Sequence, residues 1–242
     1  VALAVILGFK REVTARMVGF SAPVEVIDGA GIYAAESRPV AATARFEALL
    51  RAVDGVQRAT PYAVKSGIVR TRDAMEGGAL KGVGGSSDWA FFAGRLTEGR
   101  LPRVGDSLRT KELLLSARTA RLLGVHAGDQ VEMLFVAGDA RPRRDRFKVS
   151  GPYSPGMEEL ERTALTDLRN VQRLNSWDST QVSGFELRTT DFSHLDRFTD
   201  DVYRAVVEHQ RTDRDEPLRV TNVRMQYPMI FDWLDAHNVN AA

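Results

Sequence analysis

The sequence predicts an α+β fold in which a split βαβ mixed-sheet subdomain, built from both chain ends, carries an inserted, mostly β subdomain. A strand–helix–strand pattern occurs near each end of the 242 residues, and the middle contains shorter elements of mixed type. Two such units can pair into one sheet even when a long segment separates them. The expected ranges are 1–22 for an opening helix, 23–85 with 182–226 for the split subdomain, 86–181 for the insert and 227–242 for a closing segment.

The chain opens with an apolar stretch, VALAVILGF at residues 1–9, which changes abruptly to charged residues. Val13, Met17 and Phe20 continue at helical spacing, and Pro23 is expected to end the helix. A signal peptide would carry its positive charges before the apolar stretch, and no segment has the roughly 20 apolar residues that span a bilayer. Two interpretations remain open: a buried terminal element, or the outer end of a membrane helix.

The N-terminal unit shows the clearest periodicity. From Thr43, apolar residues at i, i+3, i+4 and i+7 predict a helix with one buried face, and Gly55 is suited to end it in the left-handed conformation. Alternating apolar residues on either side of this helix predict strands. The expected elements are a strand at 24–26, a turn at 28–29, a helix at 43–53, strands at 56–64 and 67–71, a turn at Gly77-Gly78 and a strand at 79–83.

The middle and the C-terminal unit follow from the same rules. Thr166 is a candidate N-cap, and Ser193 with Asp196 three residues on resembles a capping box. The expected elements are a flexible junction at 82–88, a helix at 118–123 ended by Gly124, a strand at 131–136, a polar loop at 138–145, a returning strand at 147–149, a helix after Thr166, a strand at 182–187, a helix after Ser193 and a strand at 218–223.

Composition excludes several classes of function. Lys and Arg number 33 against 32 Asp and Glu, and this net charge of +1 is too small to favour nucleic acid as a partner. The chain has no cysteine, which excludes disulfides, thiolate metal sites and a cysteine nucleophile. The four histidines show no metal-ligand spacing, and the glycines at 82–85 lack the Lys-Ser/Thr of a phosphate loop. We therefore expect no metal, no cofactor and no catalytic residue.

One acidic cluster keeps an enzymatic alternative open. Glu158, Glu159 and Glu161 follow Gly156 and could bind a cation or act as acid and base, as in a metal-dependent hydrolase. Acidic residues are also typical of a solvated helix start, where they favour the helix dipole. Because no histidine or aspartate supports the cluster at a useful spacing, we favour the second interpretation.

A basic run indicates a docking site for a protein partner. Arg141, Arg143 and Arg144 surround Pro142 in the polar loop, and Arg146 follows. The run has no interleaved aromatic residues of the kind that stack on single-stranded RNA. We predict that Arg141, Pro142, Arg143 and Arg144 form an exposed hairpin tip that binds a protein.

Several phrases along the chain carry information together. They are LGFKRE at 7–12, LTEGRLPRVGD at 96–106, LLGV and GDQV at 122–125 and 128–131, FKVSGPY at 147–153, VSGFEL at 182–187 and YPMIFDWL at 227–234. In this order they resemble segments of the extracytoplasmic domain of bacterial ABC transporter permeases in the lipoprotein-releasing and macrolide-exporter (type VII, FtsX-like) family. Pro152 departs from that pattern, since an aliphatic residue is usual there.

The resemblance implies a non-catalytic periplasmic domain of an inner-membrane permease subunit, between its first two membrane helices, with residues 227–242 leading into the second. It implies a cytoplasmic ABC ATPase as a partner, a second permease subunit in a homo- or heterodimer, and a periplasmic carrier or lipoprotein cargo. Such a domain couples ATP hydrolysis mechanically to the handling of cargo. In some relatives a hairpin hook captures the carrier, and the matching loop at 137–146 is short for a hook. The alternative within this resemblance is a division-type permease, whose periplasmic module regulates a cell-wall hydrolase.

Overall fold

The computed structural model describes residues 2–30, 38–105, 107–135, 142–189, 191–212 and 217–239. The strands are β1 Val24–Asp28, β2 Val40–Ala41, β3 Val56–Arg70, β4 Met75–Val83, β5 Glu112–Ser116, β6 Gln130–Phe135, β7 Arg143–Tyr153, β8 Thr163–Asp167, β9 Gln181–Val182, β10 Gly184–Thr189 and β11 Leu218–Asn222. The helices are α1 Ala2–Phe20, α2 Ala44–Ala52, α3 Ala90–Ala93, α4 Ala117–Leu123, α5 Leu168–Leu174, α6 Leu195–Thr212, α7 Val223–Gln226 and α8 Pro228–Val239, with 3-10 turns at Glu158–Leu160 and Phe192–His194.

The two chain ends share one sheet, as the sequence predicts. Strand β1 lies between β11 and β10, and β10 pairs with the first half of β3, all antiparallel. Val24 is opposite Asn222 on one side and Leu187 on the other. The sheet contains both antiparallel and parallel strand pairs, the latter between β4 and β8 and between β5 and β7. Together with the helices this makes an α+β fold, which confirms the predicted fold class.

Helices α2 and α6 pack against this part of the sheet. Phe46 and Leu50 of α2 are fully buried, and the Phe46 ring stands edge-on to Phe185 of β10 with ring centroids 5.4 Å apart. Thr43 caps α2 by accepting a hydrogen bond from the Phe46 amide, and Gly55 has a φ of 81° just after the helix. The predicted start of this helix is therefore confirmed, because side-chain capping is a local feature. The helix ends at Ala52 with an extended Val53 as C-cap, and Gly55 lies in the turn that follows, where the Val56 amide donates to the Val53 carbonyl oxygen over 3.1 Å.

The inserted part continues the same sheet and closes it on itself. From β3 the sheet runs through β4, β8, β5 and β7 to β6, and β6 pairs back onto the end of β3. Apolar side chains that include Leu80, Leu113, Met133 and Phe147 fill the interior of this closed ring of strands. Because β3 and β4 serve both parts, the division of the chain into the ranges 23–85 and 86–181 stays a prediction.

Several local expectations are wrong, among them one turn and two helix caps. Gly77-Gly78 lies inside β4, and the hairpin turns at Thr71–Ala74, where the Thr71 amide donates to the Ala74 carbonyl oxygen over 2.9 Å. Asp167 rather than Thr166 caps α5, since the Thr166 hydroxyl donates to the Glu112 carbonyl oxygen instead. Asp191 rather than Ser193 accepts the capping hydrogen bond before α6. In each case a tertiary contact or a nearer carboxylate takes the place of the residue that pattern alone favours.

The tight packing of β4 against β8 explains the misplaced turn. A Cβ atom on Gly78 would stand 2.4 Å from the carbonyl oxygen of Arg162, whereas one on Gly77 would meet nothing within 4 Å. Glycine at 78 is thus required by close approach of two backbones and not by a turn.

We expect Gly78→Ala to destabilise the protein by about 1–3 kcal/mol, because the backbone of β8 must move to admit the methyl group. Gly77→Ala is the matched control and should be neutral or stabilising by up to about 1 kcal/mol, since alanine restricts the unfolded chain. Urea unfolding of the two variants measures both values. Equal stability of the two variants would contradict this account of the β4–β8 contact.

Candidate partner-docking surface

Four arginines surround one glutamate on the closed end of the sheet. Arg70 of β3 is paired with Glu132 of β6, and Glu132 is paired with Arg146 of β7. Arg72 from the β3–β4 turn and Arg144 complete the wall of an open basin of about 470 Å³. We call these five residues and the space between them the basic basin.

The basic basin carries an excess of positive charge. The Arg70 Nε donates to Glu132 Oε2 over 2.7 Å. This hydrogen bond and the charges of Arg70, Arg144 and Arg146 hold the pKa of Glu132 below its usual value. Among the described residues, the lining has four guanidinium groups for one carboxylate, so it suits an anionic group of a partner.

The structure separates the residues predicted to form the docking tip. Arg141 lies outside the described residues, and Pro142 is exposed at the start of β7. Arg144 lines the basic basin, but Arg143 points to the other side of the strand, as alternate residues do. There Arg143 donates to the carbonyl oxygen of Leu174 over 2.9 Å and to the Ser176 hydroxyl over 2.7 Å, and so caps the C-terminal end of α5.

Sequence reasoning missed Arg70, Arg72 and Glu132 as members of this surface. Arg70 and Arg72 lie about 72 to 76 positions before Arg144 and Arg146, and only the pairing of β6 with β3 brings them to this surface. Glu132 is nearer in sequence and is placed opposite Arg146 by the pairing of β6 with β7. The one available signal was the even spacing of Arg144 and Arg146, which places both side chains on one face of a strand.

The acidic cluster does not form a metal centre in the described part of the chain. Glu158 and Glu159 are exposed, and Glu158 Oε1 lies 3.8 Å from an Arg118 guanidinium nitrogen. Within the described ranges, no three His, Asp or Glu side chains come close enough together to hold a metal ion.

Helices α1 and α8, at the two ends of the chain, leave the sheet at the same place. The Val223 amide, which begins α7, donates to the Pro23 carbonyl oxygen over 3.0 Å, so the segments that follow Phe20 and precede Gln226 lie side by side. Further out, the rings of Phe9 in α1 and Trp233 in α8 stand edge-on with centroids 5.6 Å apart. Among the described helices, none combines the length and the apolar character needed to cross a membrane.

Comparison with known proteins gives a consistent result, although no protein-family model matches the chain. Over 202 residues the chain is 27% identical to the lipoprotein-releasing system transmembrane protein LolC of two Xylella fastidiosa strains, a match that covers 79% of this chain and 46% of each relative. The chain therefore spans about half the length of the curated relatives it matches.

Two solved structures share the fold. The periplasmic region of MacB from Actinobacillus actinomycetemcomitans matches with a TM-score of 0.55 and 17% identity, over 88% of this chain and 95% of that one. The extracellular domain of the noncanonic ABC-type transporter YknZ from Gram-positive bacteria matches with a TM-score of 0.53 and 15% identity, over 82% and 99%. In fold, and in sequence to LolC, the chain is similar to ABC transporter permeases and their extracytoplasmic domains. The resemblance noted in the sequence is thus confirmed.

Residues 96–105, most of the LTEGRLPRVGD phrase, form a strap over β5, β7 and the end of β8. Glu112 at the start of β5 accepts hydrogen bonds from the Arg100 guanidinium over 2.9 Å and from the Arg103 amide over 2.7 Å. The hydrogen bond from Arg100 is the largest of the effects that lower the pKa of Glu112 to about 2. At the end of the strap, the Gly105 amide donates to Asp167 over 3.1 Å. The LTEGRLPRVGD phrase therefore has a structural role in this chain.

We expect Arg143→Glu and Arg144→Glu to differ in stability although the two residues are adjacent. Arg143→Glu removes hydrogen bonds to the C-terminal end of α5 and places a negative charge there, at a cost on the order of 1 kcal/mol. Arg144→Glu faces the open basin and should change stability by less than about 0.5 kcal/mol. Thermal melting of both variants tests this, and equal melting temperatures would show that the Arg143 cap is unimportant.

Proposed function

We propose that this chain is the periplasmic domain of an ABC permease subunit in the bacterial inner membrane, and that it transmits movement to cargo or a partner without catalysing a reaction. The observation that carries the proposal is the meeting of the two chain ends at Pro23 and Val223. A domain lodged between consecutive membrane helices must return its chain to the surface it left, and adjacent ends meet that requirement. The relationship to LolC supports the same placement.

The terminal helices also have the side chains that such a placement needs. Phe9, Met229 and Trp233 are exposed to 50%, 83% and 49% at this end of the molecule. Large apolar and amphipathic side chains of this kind suit the headgroup layer, where tryptophan is enriched. We propose that α1 and α8 lead into the first and second membrane helices of the permease.

The basic basin is far from these ends, which suits a docking surface that faces away from the membrane. In the sheet, Val24 of β1 is opposite Leu187 of β10, and Leu187 is opposite Ala59 of β3. Arg70 lies eleven residues after Ala59 on β3. At about 3.3 Å per residue this is a separation of up to about 36 Å. We propose that a periplasmic carrier, or an acidic part of a lipoprotein cargo, docks in the basin, that Pro142 and Arg144 contribute to the contact, and that the neighbouring Arg141 does so too.

The proposed partners on the other side of the membrane follow from the permease class. A cytoplasmic ABC ATPase would supply the energy, and a second permease subunit would complete the transporter as a homo- or heterodimer. Movement of α1 and α8 would then be transmitted through the domain to the basic basin.

Charge reversal in the full-length permease tests the docking proposal. Arg144→Glu with Arg146→Glu should reduce lipoprotein release from spheroplasts at least about tenfold, because like charges now face the anionic partner. Arg219→Glu is the matched control, since Arg219 is exposed on β11 at the terminal end of the sheet, and it should leave release unchanged.

Two outcomes would contradict parts of the proposal. Normal release by the double variant would show that the basic basin is not a docking surface. Normal release combined with defective cell-wall cleavage would instead support the division-type alternative.

The periplasmic placement of the domain is tested separately. A single Ser86→Cys in a cysteine-free background should react with a membrane-impermeant maleimide in intact spheroplasts. Reaction only after permeabilisation would contradict a periplasmic domain.

A further inference from the structure

Two carboxyl groups face each other beneath the end of α1. Glu25 of β1 and Glu186 of β10 occupy directly paired positions on adjacent antiparallel strands. Glu186 is only 6% exposed and Glu25 is partly buried. Like charges in such a pair repel at short range, and here little water is present to screen them.

The hydrogen bonds of the pair are unequal. Lys81 Nζ donates to Glu186 Oε1 over 2.6 Å, and the same oxygen lies 3.4 Å from the Ala22 amide nitrogen. The Tyr62 hydroxyl, a neutral donor, donates to Glu25 Oε2 over 3.0 Å. Lys81 thus contacts Glu186 directly, and Glu25, which has no such cationic donor among its described hydrogen-bond partners, is the member of the pair that takes up a proton.

This pair lies where α1 joins the sheet. Arg188, two residues after Glu186 on the same face, donates to the carbonyl oxygens of Val18 over 2.8 Å and Gly19 over 3.2 Å in the last turn of α1. The Ala22 amide in the connection from α1 to β1 contacts Glu186 itself. A small cavity of about 20 Å³ borders Lys81, Asp88, Glu186 and Arg188, enough for one water molecule.

The charged and polar neighbours place the titration of Glu25 close to neutrality. Burial, and then the Glu186 charge, raise the pKa of Glu25 to about 7, against the lowering effects of Lys81, Tyr62 and Gln226. The groups around the pair are Glu186 and Arg188 on β10, Lys81 on β4, Tyr62 on β3, Gln226 on α7 and Asp88 before α3.

We propose that Glu25 is a proton-binding site that controls how firmly the end of α1 is held on the sheet. With a proton on Glu25 the repulsion within the pair is removed, and Glu186 can hold the Ala22 amide and Lys81 undisturbed. When Glu25 is ionised, two negative charges compete for Lys81, and the connection between α1 and β1 loosens. In a permease, this would make the mechanical link to the first membrane helix respond to the pH outside the membrane.

The sign of the effect on stability follows from linkage. A carboxyl group whose pKa is raised from 4.5 to about 7 binds more protons in the folded than in the unfolded chain between these values. Its stabilising contribution is therefore complete below about pH 4.5 and is lost as the pH rises through about 7. The connection should be tighter at pH 6 than at pH 8.

Nuclear magnetic resonance of the 242-residue chain tests the proposal directly at the Ala22 amide. We expect its chemical shift to titrate with a midpoint near pH 7, and its protection against hydrogen exchange, relative to an unstructured peptide at the same pH, to be greater at pH 6 than at pH 8. Glu25→Gln should abolish the titration. Tyr62→Phe should move the midpoint to higher pH, because it removes a hydrogen bond that favours the ionised carboxylate.

The controls separate this site from other titrating groups. Glu132→Gln alters a carboxylate in the basic basin and should leave the Ala22 titration unchanged, and all variants retain the four histidines. A flat Ala22 shift between pH 5.5 and 8.5, or an unchanged titration in Glu25→Gln, would overturn the proposal. If Glu25→Gln does not fold, the direction of the midpoint shift in Tyr62→Phe decides. These measurements need no transporter, so their failure would leave the proposed transport role intact.

Discussion

Strand β3 is the element on which both parts of the molecule depend. Its 15 residues pair with β10 over the first half, with β4 from Tyr62 onward and with β6 at the end. Near its end, β3 pairs with β4 on one side and with β6 on the other. Gly67 allows the close approach of β6, because a Cβ atom at this position would lie 2.8 Å from the Leu134 carbonyl oxygen. The ring of strands and the sheet of the chain ends are thereby joined without a flexible linker.

Strand β3 lies between two surfaces of different character, one apolar and one positively charged. At the terminal end, aromatic side chains anchor α1, and Phe20 packs against Phe92 and Tyr153 with ring centroids 5.8 and 6.4 Å away. At the other end, exposed arginines form the basic basin. A continuous hydrogen-bonded sheet between them is stiff, because backbone pairing leaves few internal torsions free. Movement of the terminal helices would therefore shift the basin as one body with the sheet, which is what a mechanical domain requires.

Charge is used in opposite ways at the two ends. The basic basin leaves its guanidinium groups in water, where they cost little and can attract a partner over a distance of about 10 Å at moderate salt. Under α1, by contrast, Glu25, Lys81 and Glu186 are withdrawn from water, so each charge depends on its immediate neighbours. Exposed charges of the first kind are suited to recognition, and buried charges of the second kind are suited to sensing a proton.

Local pattern was sufficient for features that a few neighbouring residues control. The helix that Thr43 caps and the left-handed cap at Gly124 agree with the sequence, because capping and periodicity act over one or two turns. The pairing of the two end units also agrees, but it was inferred from the repeated strand–helix–strand pattern and not from any local signal. Pairing between distant strands decided the rest. Gly78 is glycine because of Arg162, Arg143 and Arg144 have different roles because they face opposite sides of β7, and Glu25 titrates near neutrality because Glu186 is its partner. None of these neighbours is near in sequence, and the pattern of one strand indicates which of its faces is buried but not which remote strand lies beside it.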